Sequence, residues 1–140
     1  MTAPTLRKRE RMVSRKLIET LFGANQTRHE LLPGEARGSH SMAAFPLRIV
    51  YMKRERPDGE APVQLLVSVS KKRFKHAVDR NRAKRQVREA YRQHKQLVYD
   101  VVLPKEQLLI AFVWLSDEHR PSWEVEKRVV GLLQRVAEKL

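Results

Sequence analysis

Between Lys71 and Arg92 the chain places ten Lys or Arg and only two acids, Asp79 and Glu89, within 22 residues. Wound as a helix at about 100° per residue, this stretch and its continuation sort by face. Ala83, Val87, Ala90, Tyr91, His94, Leu97 and Val98 fall on one side. Lys84, Arg85, Arg88, Arg92 and Lys95, with Asn81 among them, fall on roughly the opposite flank. The apolar side must bury itself against a second layer, and the cationic side must not. Few acids stand three or four residues away to neutralise the row as surface ion pairs. A row of like charges is unfavourable alone and is relieved when phosphates meet it and condensed counterions are released. Arginine dominates (Arg73, Arg80, Arg82, Arg85, Arg88 and Arg92), and its planar fork matches phosphate and stacks on bases.

The flanks of this segment suit a packed layer. Val63–Ser70 alternates Leu65, Val67 and Val69 with Leu66, Ser68 and Ser70, which predicts a strand with one buried and one polar face. Gln107–Trp114 is nearly continuously apolar, as in a central strand covered on both faces. With a helix from Lys75 to about Val98 between them, the two strands can be parallel neighbours. Upstream, Met42–Lys53 is rich in strand formers, and Pro46 implies an edge or a bulge there. Arg56-Pro57-Asp58-Gly59 reads as a turn between strands. Ser122 opens a last helix to about Lys139, with Val125, Val129, Leu132, Leu133 and Val136 as its apolar stripe. A short helix is expected over about 14–22, carrying Leu17, Ile18, Leu21 and Phe22 on one face. Residues 1–13 read as a mobile basic arm and 23–41 as a long loop. The 140 residues then form a single α+β domain.

Composition narrows the function. The formal charge of +13 calls for a polyanionic partner. No apolar run reaches the roughly 18 to 20 residues of a membrane span, and no apolar stretch follows the basic N-terminus as in a secretory signal. With no cysteine, disulfide frameworks, thiolate zinc sites and cysteine nucleophiles are excluded, which fits a cytoplasmic protein. The five histidines show no metal-ligand spacing, and there is no phosphate-binding loop string. Asp79 and Glu89 read as local charge balance, His76, near Asp79 and the basic row, as either a phosphate contact or a helix-start residue, His94 as a packed residue, and Trp114 and Trp123 both as packing residues. No catalytic side chain is expected.

The strings Ser68-Val69-Ser70-Lys71-Lys72, Ala77-Val78-Asp79-Arg80-Asn81-Arg82-Ala83-Lys84-Arg85 and Arg88-Glu89-Ala90 closely resemble the protein subunit of bacterial ribonuclease P. The blocks stand in that family's order and spacing. The resemblance implies an α-β-β-β-α-β-α sandwich with one four-stranded sheet and a left-handed crossover, the ribosomal-protein-S5-domain-2-like arrangement. It implies a protein that assists removal of the 5′ leader of precursor tRNA, while an RNA subunit carries the catalytic site and its Mg2+. The protein side chains would hold no cofactor. The partners would be the catalytic RNA subunit and the precursor tRNA leader, with no obligate protein partner and no membrane. By the same resemblance, Arg80, Asn81, Arg82, Lys84, Arg85, Arg88 and Arg92 would face the RNA subunit. A leader cleft would use Ile18, Phe22, Tyr51, Ser68, Ser70, Lys71 and Lys72. The chain departs from the family pattern at Lys75 and His76, at Ile18 where an aromatic is common, and in the length of the 23–41 loop.

Two other readings share the charge argument. A ribosomal or other structural RNA-binding protein would have the same fold and the same basic surface. A DNA-binding helix module is less favoured, because the basic helix follows directly from a strand and its other side is apolar.

Overall fold

The apolar run centred on Ile110 becomes the spine of a four-stranded sheet. A computed structural model describes residues 10–12, 18, 21 and 39–140. Its elements are β1 (His40–Ala44), β2 (Leu47–Glu55), β3 (Val63–Ser68), α1 (Ala77–His94), α2 (Gln96–Tyr99), β4 (Glu106–Trp114) and α3 (Ser122–Lys139). The strand order is β1-β2-β4-β3. β1 and β4 both run antiparallel to β2. β3 runs parallel to β4, so α1 and α2 form the crossover between these neighbours.

Strand pleating divides the sheet into two faces. On one face, Leu47, Ile49 and Tyr51 of β2 join Val63, Leu65 and Val67 of β3. Leu108, Ile110, Phe112 and Trp114 of β4 complete this side, and α1 and α3 cover it with Ala83, Val87, Ala90, Tyr91 and the Val125–Val136 stripe. On the other face, Val50, Leu109 and Ala111 pack with Met12 and Leu21, and Ile18, Met52 and Leu66 are partly buried beside them. β4 is therefore enclosed from both sides, as its composition predicts.

Four expectations need correction. The stretch Met42–Lys53 is two strands, because Phe45 and Pro46 form the turn of a β1–β2 hairpin. Pro46 sits where its missing N–H costs no ladder bond, and its carbonyl accepts from the Leu115 N–H at 2.8 Å. The long helix starts two residues later than expected and divides at Lys95 into α1 and α2. Trp114 is buried as expected, but Trp123 is 68% exposed. Finally, residues 10–12 are not a free arm. The Met12 N–H donates to the Leu65 carbonyl at 2.7 Å, and Arg11 bridges Leu65 in parallel. This short segment covers part of the β3 edge, which would otherwise present unpaired backbone groups. Ile18 and Leu21 have helical backbone, as expected. The remaining residues of the expected 14–22 helix, Phe22 included, and most of the 23–41 loop lie outside the described residues.

Candidate nucleic-acid interface

The cations of α1 separate into three groups by what surrounds them. Asn81, Arg82 and Arg85 are exposed on the outer side of the helix. Arg82 and Arg85 make no ion pair or hydrogen bond to a described residue. Lys84 and Arg88 lie half-buried toward the β3 edge. Burial, and then the positive charge of Arg11, lower the pKa of Arg88 from its ordinary value. The docked N-terminal segment thus extends the cationic surface past the helix.

The third group is engaged internally. Arg80 turns back, its guanidinium donating to the carbonyls of Phe74 at 3.0 Å and Lys75 at 2.9 Å. Those bonds close the loop that leads into α1, where the N-cap residue His76 makes no side-chain cap. Arg92 donates to both carboxylate oxygens of Glu89, at 2.6 and 3.0 Å. These bonds, with one from Gln93, hold the Glu89 pKa down at about 2. Glu89 is thus local charge balance. Asp79 is more than that: it meets His119 Nε2 at 3.0 Å, and the His119 ring stacks on Phe74 at 4.5 Å. His76 is exposed and has no such tie to Asp79.

Interactions on either flank fix how α1 presents its outer side. Toward α3, Gln86 donates to the Arg120 carbonyl at 2.9 Å and the Ser122 hydroxyl at 3.2 Å. Toward the N-terminal segment, Lys95 Nζ reaches Glu10 at 2.6 Å, and the Tyr99 hydroxyl donates to the same carboxylate. Glu10 is buried there. The Tyr91 hydroxyl lies beside this cluster, and burial raises its pKa well above the ordinary value.

The expected cleft residues are only partly brought together. Ser68 shares a parity with Leu66, so it lies on the sheet face that α1 and α3 do not cover. Ser68 is half-buried, and Ser70, Lys71 and Lys72 are exposed at the end of β3. Ile18 packs on the same face. Tyr51 does not join them. It pairs with Ile110 in the register and is buried on the helix-covered face, its ring 5.3 Å from that of His40. Burial also raises its hydroxyl pKa. The cause is parity: Tyr51 alternates with Val50 and Met52, which face the other way.

Register shows a residue that the sequence reading missed. Arg48 pairs with Val113, and Val113 pairs with Ser68. Arg48 and Ser68 therefore lie in one cross-sheet row on the open face. The Arg48 Nε donates to the Ser41 hydroxyl at 2.7 Å, which draws the guanidinium toward β1 on the same open face.

Among the described residues no group of three His, Asp or Glu converges as a metal site. No described helix is long and apolar enough to cross a membrane.

Residues 36–136 match the family described as Ribonuclease P. A ribonuclease P protein component of Porphyromonas gingivalis is 38% identical over 98% of this chain and 92% of its own length. One from Chlorobium phaeobacteroides is 35% identical over 68% of this chain and 57% of its own. The fold matches the RNase P protein of Thermotoga maritima with a TM-score of 0.61 at 22% identity, covering 90% of this chain and 96% of that one. It matches the Staphylococcus aureus RNase P protein with a TM-score of 0.63 at 17% identity, covering 91% and 94%. This chain belongs to the ribonuclease P protein family.

Proposed function

We propose that this chain is the protein subunit of a bacterial ribonuclease P and serves the enzyme by binding RNA on two surfaces. The observation that carries this reading is the outer side of α1, where Asn81, Arg82 and Arg85 stand exposed on a helix locked from both flanks. That surface meets the phosphates of the catalytic RNA subunit, with Lys84, Arg88 and Arg11 extending it toward the β3 edge. Arg80 supports it by closing the loop before the helix. Arg92 contributes charge that Glu89 partly offsets.

The open sheet face holds the 5′ leader of precursor tRNA. Ser68, Ser70, Lys71, Lys72 and Arg48 supply hydroxyls and cations suited to a sugar-phosphate backbone of any sequence, and Ile18 supplies an apolar wall. Phe22 belongs to the same proposal by family likeness. Tyr51 does not. The protein lowers repulsion between two RNAs and places the leader. The phosphodiester chemistry and its Mg2+ belong to the RNA subunit. The protein itself holds no cofactor and works in the cytoplasm without an obligate protein partner.

Reconstitution tests this. Mixed with a bacterial ribonuclease P RNA at low magnesium, the protein stimulates leader cleavage from precursor tRNA. No stimulation, where another family member stimulates the same RNA, overturns the proposal.

A further inference from the structure

Trp123 is the most exposed tryptophan the chain has, at 68%, whereas Trp114 is buried at 1%. A large ring left in water on a rigid helix contributes no burial to folding, so its apolar face is available to a partner. Its position is also well defined. Ser122, one residue before it, is tied to α1 by the Gln86 bond. One residue further, about 100° round α3, the indole stands at the outer rim of the α1–α3 groove. Gln86 is also the anchor for locating Arg82, which lies one turn before it on the same flank of α1. The Asp79–His119 interaction holds the start of α1 against the segment leading into α3, so Arg82 sits between two fixed ties, from 79 to 119 and from 86 to 122. Lys127, one turn after Trp123 on α3, is exposed as well. Of the two acids nearby, Glu124 is taken up by Arg120 at 2.7 and 2.8 Å, and Glu126 lies toward His94 at 3.7 Å.

We propose that Trp123 is a stacking platform for an unpaired base of the ribonuclease P RNA, with Arg82 and Lys127 receiving the flanking phosphates. This inference rests on the reading of α1 as the RNA-subunit surface and extends that surface across to α3. The choice of occupant follows from charge. A ring bordered by cations, on a chain of net charge +13, complements a polyanion whose units each carry an aromatic face. A second copy of this chain would bring like charge to the same place.

The test uses the full chain and a ribonuclease P RNA transcript without precursor tRNA. Stacking one base on an aromatic side chain is worth roughly 1–3 kcal/mol, which converts to an affinity loss of roughly 5- to 150-fold for Trp123→Ala at about 1.4 kcal/mol per tenfold. Trp123→Phe retains most of the affinity. The slope of log affinity against log salt is unchanged in Trp123→Ala, because every phosphate keeps its cation, whereas Arg85→Ala lowers it. RNA binding also protects the exposed indole of the wild-type protein from acrylamide quenching, and the buried Trp114 supplies a constant background. Wild-type affinity in Trp123→Ala, or an indole still open to acrylamide in the complex, overturns the inference and leaves the proposed function standing. Protection that appears without RNA and rises with protein concentration assigns the ring to a second copy and overturns it too. Failure of the wild-type protein to bind the transcript removes the proposed function beneath it.

Discussion

Arg85 and Lys95 belong to the same basic run, yet the fold uses them in opposite ways. Arg85 stands in solvent with no described partner. Lys95, at the junction of α1 and α2, is drawn in against the buried Glu10, with its ammonium 5.3 Å from the Tyr99 ring centre. Helical spacing does not separate them, since both fall on the cationic flank of the same helix. What separates them is an acid 85 residues away in the chain, brought over by pairing at the β3 edge. Cations in such a helix therefore form two populations, one that holds the protein together and one that is left for a polyanion.

The largest expected effect lies on the holding side. Glu10→Gln removes the carboxylate that Lys95 meets at 2.6 Å, in a pocket where the Lys95 side chain is 14% exposed. Removing one member of a buried pair costs about 3 kcal/mol or somewhat more. Chemical denaturation reads this as a lower midpoint. The salt slope of RNA binding by the protein that remains folded stays as in the wild type. A midpoint equal to the wild type would mean that Lys95 is no more consumed than Arg85, and the division would collapse.

The next effects separate residues that sequence alone treats alike. Arg82→Ala and Arg85→Ala each lower the log–log salt slope of RNA binding by up to about 0.9 to 1 for each phosphate left without its cation, with little change in stability. Arg80→Ala, in the same Arg80-Asn81-Arg82 motif, lowers stability by about 1 kcal/mol because the bonds to Phe74 and Lys75 are removed. Thermal unfolding beside salt titrations distinguishes the two. If Arg80→Ala changed only the slope, its place in the holding population would be wrong.

The parts of this arrangement that were legible in the sequence share a physical origin. β3, α1 and β4 each carry a strong period or a long apolar run, and tertiary packing agreed with it. The apolar side of α1 came out residue for residue at Ala83, Val87, Ala90 and Tyr91. Where both parities of a strand are apolar, the face is not legible. Leu47, Ile49 and Tyr51 compete with Val50 and Met52 in β2, and only pairing with β4 shows which set meets the helices. That ambiguity put Tyr51 in the wrong place and hid Arg48. Pro46 was equally ambiguous, since a missing N–H suits a bulge, an edge or a hairpin turn. Trp123 is a different kind of miss. It lies about 200° round the helix from Val125, so the period alone already placed it outward. Its residue type argued for packing and prevailed.

A smaller effect tests the comparison within one helical turn. Glu89 ties down Arg92, and the bonds from Arg92 and Gln93 lower its pKa from 4.5 to about 2. A carboxylate with a depressed folded-state value adds stability that is fully present above its unfolded value. That contribution fades as pH falls from about 4.5 toward 2. Glu89 is exposed and Arg92 half-buried, so screening keeps the contribution small. The Glu89 side-chain carboxyl, followed by NMR, titrates near 2, and Glu89→Gln removes the matching part of the acid-side stability loss. The same substitution removes the carboxylate charge that Arg92 meets, and so shifts Arg92 toward the available population at neutral pH. RNA binding then tightens slightly and its salt slope steepens, the reverse of the Arg85→Ala result. A Glu89 carboxyl that titrates near 4.5, or a slope that Glu89→Gln leaves unchanged, would show that Arg92 was available to RNA from the start.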